Sequence, residues 1–123
     1  MKILIADDDE LVVQLLKTTF AEQGHEVVHV ADGVGVGTLA ASERPDLIVL
    51  DIMMPGIDGI EALRRLRTDP VTSTVPVIML TTRGYRNEVV GALTLGACDY
   101  LLKPFTTEVL LERVRRALGA PAT

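Results

Sequence analysis

Carboxylate, hydroxyl and ammonium side chains stand at the ends of short apolar segments in this sequence. Asp7 and Asp8 follow the first such segment and Asp51 follows a third, so the three acids converge on one small volume if those segments are neighbouring strands. Carboxylates that lie so near one another repel, and either their pKa values rise or a cation binds between them. Oxygen ligands without Cys or His favour Mg²⁺, which binds through a few carboxylates together with phosphate oxygens.

Two further segment ends supply a hydroxyl and a cation. Thr81 follows a fourth apolar segment and Lys103 follows a fifth. A carboxylate beside Mg²⁺, a hydroxyl and an ammonium group suits phosphoryl transfer onto the carboxylate itself, with Asp51 as the nucleophile. Lys103 would neutralise charge on the phosphoryl oxygens and Thr81 would donate a hydrogen bond to one of them. Taken singly, Lys103 could instead reach water from a buried strand, and Thr81 could satisfy local backbone groups.

Five apolar segments of strand length alternate with five stretches of helical period. Strands are predicted at residues 3–6, 27–30, 46–50, 75–80 and 100–102, and helices at 10–23, 33–43, around 60–66, 86–95 and from Thr106 or Thr107 to Leu118. This alternation predicts a single α/β domain of the doubly wound, flavodoxin-like (βα)5 type, with a parallel sheet in order 2-1-3-4-5 and helices on both faces. In such sheets the functional site lies beyond the carboxyl ends of the strands.

Helical periodicity predicts which side chains face the sheet. For the first helix the predicted apolar face consists of Leu11, Val12, Leu15, Leu16, Thr19 and Phe20, and for the last helix of Leu110, Val114, Ala117 and Leu118. Asp9, Glu10 and Asp58 are interpreted as helix-capping acids. The stretch from Gly35 to Ala40 matches the dinucleotide-binding fingerprint, but Asp32-Gly33 already makes the turn before that helix, so the match is interpreted as a coincidence.

Length and charge limit the classes of function. The chain has 123 residues and a net charge of −5, which fits one domain. Residues 1–63 carry three Lys or Arg and twelve Asp or Glu, and this acidic half argues against direct nucleic-acid binding. No segment has the composition of a signal peptide or membrane span, and the lone Cys98 indicates a reducing compartment, so a cytoplasmic location is expected.

Four motifs in order give the chain a specific resemblance. They are the segments at residues 2–9 (KILIADDD), 47–59 (LIVLDIMMPGIDG), 76–81 (PVIMLT) and 96–105 (GACDYLLKPF). With these motifs the chain resembles the receiver domain of two-component response regulators across essentially its whole length. Residues 1–118 would form that domain, and residues 119–123 would be a tail or the start of a linker.

The resemblance implies a role for each site residue. Asp51 would be the phosphoacceptor, with Thr81 and Lys103 as the hydroxyl and the cation that sense the phosphoryl group. Asp8, Asp51 and the backbone carbonyl of Met53 would bind Mg²⁺, and Asp7 would act through water. Tyr100 would turn inward when Thr81 moves, and the Lys103-Pro104 peptide is expected to be cis. Met53 and Arg83 would be poor at positioning water, which implies slow loss of the phosphoryl group.

The resemblance also implies the partners. A sensor histidine kinase or a small phosphodonor would phosphorylate Asp51, and a face made of the fourth helix, fifth strand and fifth helix would act on an output domain or partner protein. A phosphorylation-dependent homodimer through that face would use Asp99 and Arg113, although Val89 and Val109 stand where a Lys–Glu pair is expected. Val90 and Leu111 are further apolar residues of that face.

Two other classes of function remain open. A Mg²⁺-dependent phosphatase with an aspartyl nucleophile would use similar chemistry, but such enzymes usually carry a second Asp two residues after the nucleophile, where this chain has Met53. A receiver-like domain used only for protein binding would lack one of the residues Asp8, Asp51, Thr81 and Lys103, and all four are present. The domain is therefore expected to take part in its own phosphorylation and not to be a turnover enzyme.

Overall fold

Five short strands form one parallel sheet at the centre of the fold. The computed structural model of the chain describes residues 1–82 and 85–119. The strands are β1 (Lys2–Ala6), β2 (Glu26–Val30), β3 (Leu47–Asp51), β4 (Val77–Thr81) and β5 (Asp99–Leu102). Their order in the sheet is β2-β1-β3-β4-β5, as predicted. Because β1 and β3 are neighbours, with Ala6 opposite Leu50, the residues that end these two strands lie side by side.

Four helices connect the strands and a fifth follows β5, and short polar side chains cap three of the five. They are α1 (Glu10–Glu22), α2 (Val34–Glu43), α3 (Gly59–Thr68), α4 (Arg86–Thr94) and α5 (Thr107–Ala117). The Asp9 side chain accepts hydrogen bonds at the start of α1, Asp58 does so for α3 and Thr106 for α5. The predicted capping by Asp9 and Asp58 is therefore confirmed, and each cap satisfies backbone N–H groups that lack a partner within the helix. In the described ranges no helix is long and apolar enough to span a membrane.

The sheet is covered on both faces, which explains why β3 and β4 are apolar up to their last residues, Asp51 and Thr81. All five residues of β3 and all five of β4 are buried. One core layer packs α2, α3 and α4 on the sheet, and its helical side chains include Val36, Leu63 and Leu66. The other packs α1 and α5 on the sheet, and its fully buried side chains include Phe20 and Leu110. The sheet thus gives a rigid support to the loops at its carboxyl edge.

The predicted face of α1 is wrong for two leucines. Leu11 is 83% exposed and Leu15 is 40% exposed, whereas Val13 is buried beside Leu16 and Phe20. At about 100° per residue, Leu11 and Leu15 lie roughly half a turn from Val13, so one helix cannot bury both sets against the same sheet. The α5 stripe is confirmed, because Leu110 and Val114 are buried and Ala117 and Leu118 pack against the same core.

Gly59, the first residue of α3, packs directly on the strand that carries Asp51. A Cβ at this position would collide with the backbone carbonyl of Asp51 and the Cα of Ile52. Gly59→Ala is therefore expected to lower the free energy of unfolding by about 2–3 kcal/mol in urea denaturation, since overpacking against backbone cannot relax cheaply. Gly37→Ala is the control, because a Cβ there has open space and the helical Gly is unfavourable. Equal effects of the two substitutions would contradict the predicted collision.

Candidate functional site

Three carboxylates meet at the carboxyl edge of the sheet. Asp7 and Asp8 follow β1, and Asp51 is the last residue of β3. One carboxylate oxygen from each of the three lies within 4.8 Å of the others. Asp7 is fully buried and Asp51 is 7% exposed, whereas Asp8 is open to solvent. The predicted convergence of the three acids is present, with Asp8 at the mouth of the cluster.

The Lys103 ammonium joins this cluster from the loop after β5. Its Nζ donates to Oδ2 of Asp7 at 2.8 Å and to Oδ2 of Asp51 at 3.3 Å. The backbone N–H of Lys103 donates to the carbonyl of Thr81 at 2.7 Å, so the loop remains tied to β4. The Lys103-Pro104 peptide is cis, as the sequence resemblance predicts.

The environment of Asp51 favours a further cation. Burial raises the pKa of Asp51 to about 6, and the charge of Asp7 adds to the rise although Lys103 and the Met53 N–H oppose it. Burial disfavours the charged form of Lys103, but its hydrogen bond to Asp7 and the charge of Asp51 outweigh burial and raise the pKa of Lys103. One ammonium group therefore does not compensate the carboxylates fully, and the acidic cluster could bind a metal ion through oxygen ligands.

A cavity of about 190 Å³ opens between this cluster and β4. Its lining includes Asp8, Asp51, Met53, Thr81 and Lys103. Thr81 ends β4, is only 2% exposed, and its Oγ1 donates to the carbonyl of Thr82 at 3.1 Å. The side chain of Met53 is 54% exposed, and its backbone N–H donates to Oδ1 of Asp51 at 3.3 Å. The cavity thus brings together the Asp51 carboxylate, the Thr81 hydroxyl and the Lys103 ammonium group, whereas Arg83 lies outside the described residues.

Tyr100 does not line this cavity. It stands in β5 opposite Met79, is 38% exposed and lines an adjoining apolar groove of about 310 Å³ with residues of α4. Thr81 lines both the groove and the cavity. In the same groove Val89 is buried and Val90 is 57% exposed. Tyr100 is thus partly exposed on the face that is predicted to act on an output domain or partner protein.

Asp99 on that face is paired with two arginines of α5. Asp99 bonds to Nη1 of Arg113 at 3.0 Å and lies 3.6 Å from Nη1 of Arg116. The same Arg113 nitrogen donates to the carbonyl of Tyr100. Val109 is 37% exposed beside this network, and Leu111 packs against the core.

Two residues near the site were not singled out by the sequence. Tyr85 lines the cavity from the loop before α4. His29 of β2 places its Nε2 2.9 Å from the carbonyl oxygen of Asp7. A polar ring in the otherwise apolar segment Val27–Val30, on a strand paired with β1, is the signal that could have indicated His29.

Comparison with known proteins decides the family. Residues 3–115 match the response regulator receiver domain family. The chain belongs to this family. The phosphate regulon transcriptional regulatory protein PhoB of Rhizobium meliloti (strain 1021) is 42% identical over 117 residues, which cover 95% of this receiver domain and 52% of that protein. The chain spans about half the length of the curated relatives it matches.

Solved receiver domains have the same fold. The BeF3-activated N-terminal receiver domain of Klebsiella pneumoniae RstA has a TM-score of 0.87 at 35% identity and covers 96% of this chain and 98% of its own. The receiver domain of sensor histidine kinase PA1611 from Pseudomonas aeruginosa PAO1 has a TM-score of 0.88 at 30% identity, with 97% and 98% covered. That structure has a magnesium ion coordinated in the active-site cleft. The predicted flavodoxin-like receiver fold is thus confirmed.

Proposed function

We propose that this receiver domain is a phosphorylation-activated switch that accepts a phosphoryl group on Asp51. The observation that carries the proposal is the cavity in which Asp51 faces Thr81 and Lys103, with the Asp8 carboxylate at its mouth. A carboxylate with a raised pKa, beside a hydroxyl donor and an ammonium group, is suited to attack phosphorus and to hold the product.

The chain's own residues fit a magnesium site in this cavity. Asp8, Asp51 and the backbone carbonyl of Met53 would hold Mg²⁺, and Asp7 would act through water because its carboxylate already bonds Lys103 and the Asp9 N–H. Mg²⁺ would supply positive charge to phosphoryl oxygens in the transition state. The carboxylate of Asp8 is exposed and could therefore contact a solvated ion directly.

Phosphoryl transfer would proceed by displacement at phosphorus. A carboxylate oxygen of Asp51 forms a bond to phosphorus as the bond from phosphorus to the donor breaks, and the donor keeps the electron pair of that bond. The donor would be the phosphorylated imidazole of a sensor histidine kinase or a small acyl phosphate. The Lys103 ammonium would leave the Asp51 carboxylate and donate to a phosphoryl oxygen. The Thr81 hydroxyl would turn from the Thr82 carbonyl and donate to a second phosphoryl oxygen.

The phosphoryl group would change the output face through Thr81. Movement of its hydroxyl would give Tyr100 room to turn inward from its exposed position in the groove beside α4. The face made of α4, β5 and α5 would then change its affinity for an output domain, a partner protein or a second copy of the chain. Because Asp99 is already paired with Arg113 within the chain, a charge-based homodimer would have to exchange that contact.

We also propose bounds, a location and a slow rate of dephosphorylation for the domain. Residues 1–118 would be the receiver domain and residues 119–123 a tail or linker start, of which 120–123 lie outside the described residues. The domain would act in the cytoplasm, would not bind nucleic acid itself, and would not turn over a separate substrate. The exposed apolar side chain of Met53 would position hydrolytic water poorly, which favours slow dephosphorylation.

An intact-mass measurement tests the proposed function. The protein is incubated with Mg²⁺ and acetyl phosphate, in parallel with Asp51→Asn and with EDTA. The wild type is expected to gain the mass of one phosphoryl group, and the variant and the EDTA sample to gain none. No gain by the wild type in Mg²⁺ would favour a protein-binding domain, and hydrolysis of a phosphomonoester with turnover would favour a phosphatase.

The rate of phosphorylation is expected to fall in acid. Burial raises the pKa of Asp51 to about 6, so below about pH 6 a growing share of the metal-free protein carries a protonated acceptor, which neither attacks phosphorus nor attracts a cation. At limiting Mg²⁺ the initial rate should therefore decrease as pH falls through this value, with phosphodonor stability measured separately. A rate that stays constant from pH 7 to pH 5 would contradict this assignment of the titrating group.

A further inference from the structure

The imidazole of His29 contacts the backbone that joins the two acids after β1. Its Nε2 lies 2.9 Å from the carbonyl oxygen of Asp7. A carbonyl oxygen can only accept a hydrogen bond, so Nε2 carries the proton and donates. His29 stands opposite Ile5 in the pairing of β1 with β2 and is partly buried. A side chain of the edge strand thus holds the peptide group between Asp7 and Asp8.

Every polar atom of Asp7 has a partner once this contact is counted. Its N–H donates to the Val30 carbonyl at 3.3 Å, its Oδ1 accepts from the Asp9 N–H at 2.9 Å and its Oδ2 accepts from Lys103 at 2.8 Å. Asp7 is also fully buried. The orientation of the Asp7–Asp8 peptide therefore largely sets the position of Asp8. The His29 N–H holds this peptide by donating to its carbonyl oxygen.

We propose that His29 is a positioning residue for the magnesium site, which fixes the Asp7–Asp8 peptide and thereby the carboxylate of Asp8. This inference rests on the proposed function, since it needs Asp8 to bind Mg²⁺. Hydrogen bonds one step beyond the ligands commonly orient those ligands and raise metal affinity. A purely structural role for His29 would instead affect the free energy of unfolding and leave the Mg²⁺ affinity unchanged.

Two substitutions of matched shape separate these roles. His29→Gln keeps an N–H donor at nearly the reach of Nε2, whereas His29→Met has a side chain of similar length and no donor. We expect the Met variant to bind Mg²⁺ roughly fivefold more weakly in isothermal titration calorimetry, the effect of losing one neutral hydrogen bond. The Gln variant is expected to bind Mg²⁺ like the wild type.

Val28→Ala is the control for lost stability. Val28 precedes His29 in β2 and packs against the core layer on the opposite face of the sheet. This variant is expected to lower the free energy of unfolding in EDTA without changing the Mg²⁺ dissociation constant. If the Met variant does not fold, His29→Leu takes its place as the side chain without a donor.

The outcomes for His29 and for the proposed function are distinguishable. Equal Mg²⁺ affinity of the Met variant and the wild type overturns the positioning role, as does a Gln variant as weak as the Met variant. In either case the wild type still binds Mg²⁺ and accepts a phosphoryl group, so the proposed function stands. A wild type that binds no Mg²⁺ overturns both.

Discussion

Metal-free protein at pH 7 is expected to gain stability when Asp51 is replaced by Asn. Asp51 is 7% exposed, and burial together with the charge of Asp7 raises its pKa from 3.8 to about 6. Because the folded state binds this proton more tightly than the unfolded state, ionisation of Asp51 opposes folding. Above pH 6 this ionisation lowers the free energy of unfolding by on the order of 3 kcal/mol. The Asn variant has no ionisable group at this position and avoids the loss. Urea denaturation in EDTA measures the difference.

The stability difference between Asp51→Asn and the wild type depends on pH. The destabilisation from Asp51 is absent below about pH 3.8, grows as pH rises, and is complete above about pH 6. The stability advantage of Asp51→Asn should therefore shrink as the pH is lowered from 7 to 4. Saturating Mg²⁺ should stabilise the wild type more than the variant, because in the proposed site the ion would bind the folded state through Asp51. A variant less stable than the wild type in EDTA at pH 7 would contradict this.

Lys103→Met is expected to have the opposite effect on stability. The Lys103 ammonium donates to the buried carboxylates of Asp7 and Asp51, and its side chain is only 16% exposed. Removing it leaves two buried acids without a compensating charge, which typically costs about 3–5 kcal/mol of unfolding free energy. The pKa of Asp51 should also rise further, since Lys103 is one of the groups that lower it. Urea denaturation in EDTA is again the measurement.

Magnesium and a conservative variant control this prediction. Lys103→Arg keeps the positive charge and should retain part of the stability that the Met variant loses. Added Mg²⁺ should restore stability to the Met variant, because the ion compensates the same carboxylates. Phosphorylation of the Met variant at saturating Mg²⁺ should remain slow, since the ammonium contact to the phosphoryl group is gone. An exposed ion pair contributes up to about 1 kcal/mol. If Lys103→Met lowers the free energy of unfolding in EDTA by less than this, the result would contradict a stabilising buried ion pair.

The alternation of strands and helices predicted the architecture, and the residues at the strand ends predicted that the acids converge. A parallel sheet in which β1 and β3 are neighbours must bring Asp7 and Asp51 together, and the structure contains this convergence. The acids, Thr81 and Lys103 all follow or end apolar segments that are simple to recognise. The family match over residues 3–115 agrees with the four motifs.

Side-chain direction and pairing could not be predicted in the same way. The apolar positions of α1 exceed what one helix face can bury, and the pattern alone did not indicate that Leu11 and Leu15 would lie outside. The contact between His29 and Asp7 depends on the register of β1 with β2, which no local motif encodes. The adjacent acids Asp7, which is buried and paired with Lys103, and Asp8, which is exposed, likewise differ in a way that no local motif encodes.

The position of the phosphoryl group is the most direct test of the role of Asp51. After incubation with Mg²⁺ and acetyl phosphate, borohydride reduces an aspartyl phosphate to homoserine, and tandem mass spectrometry of the peptides locates that residue. We expect homoserine at position 51 in the wild type, and none at any position when EDTA is present. Homoserine at position 7 or 8, or no homoserine in wild-type protein that has bound Mg²⁺, would contradict phosphoryl transfer to Asp51.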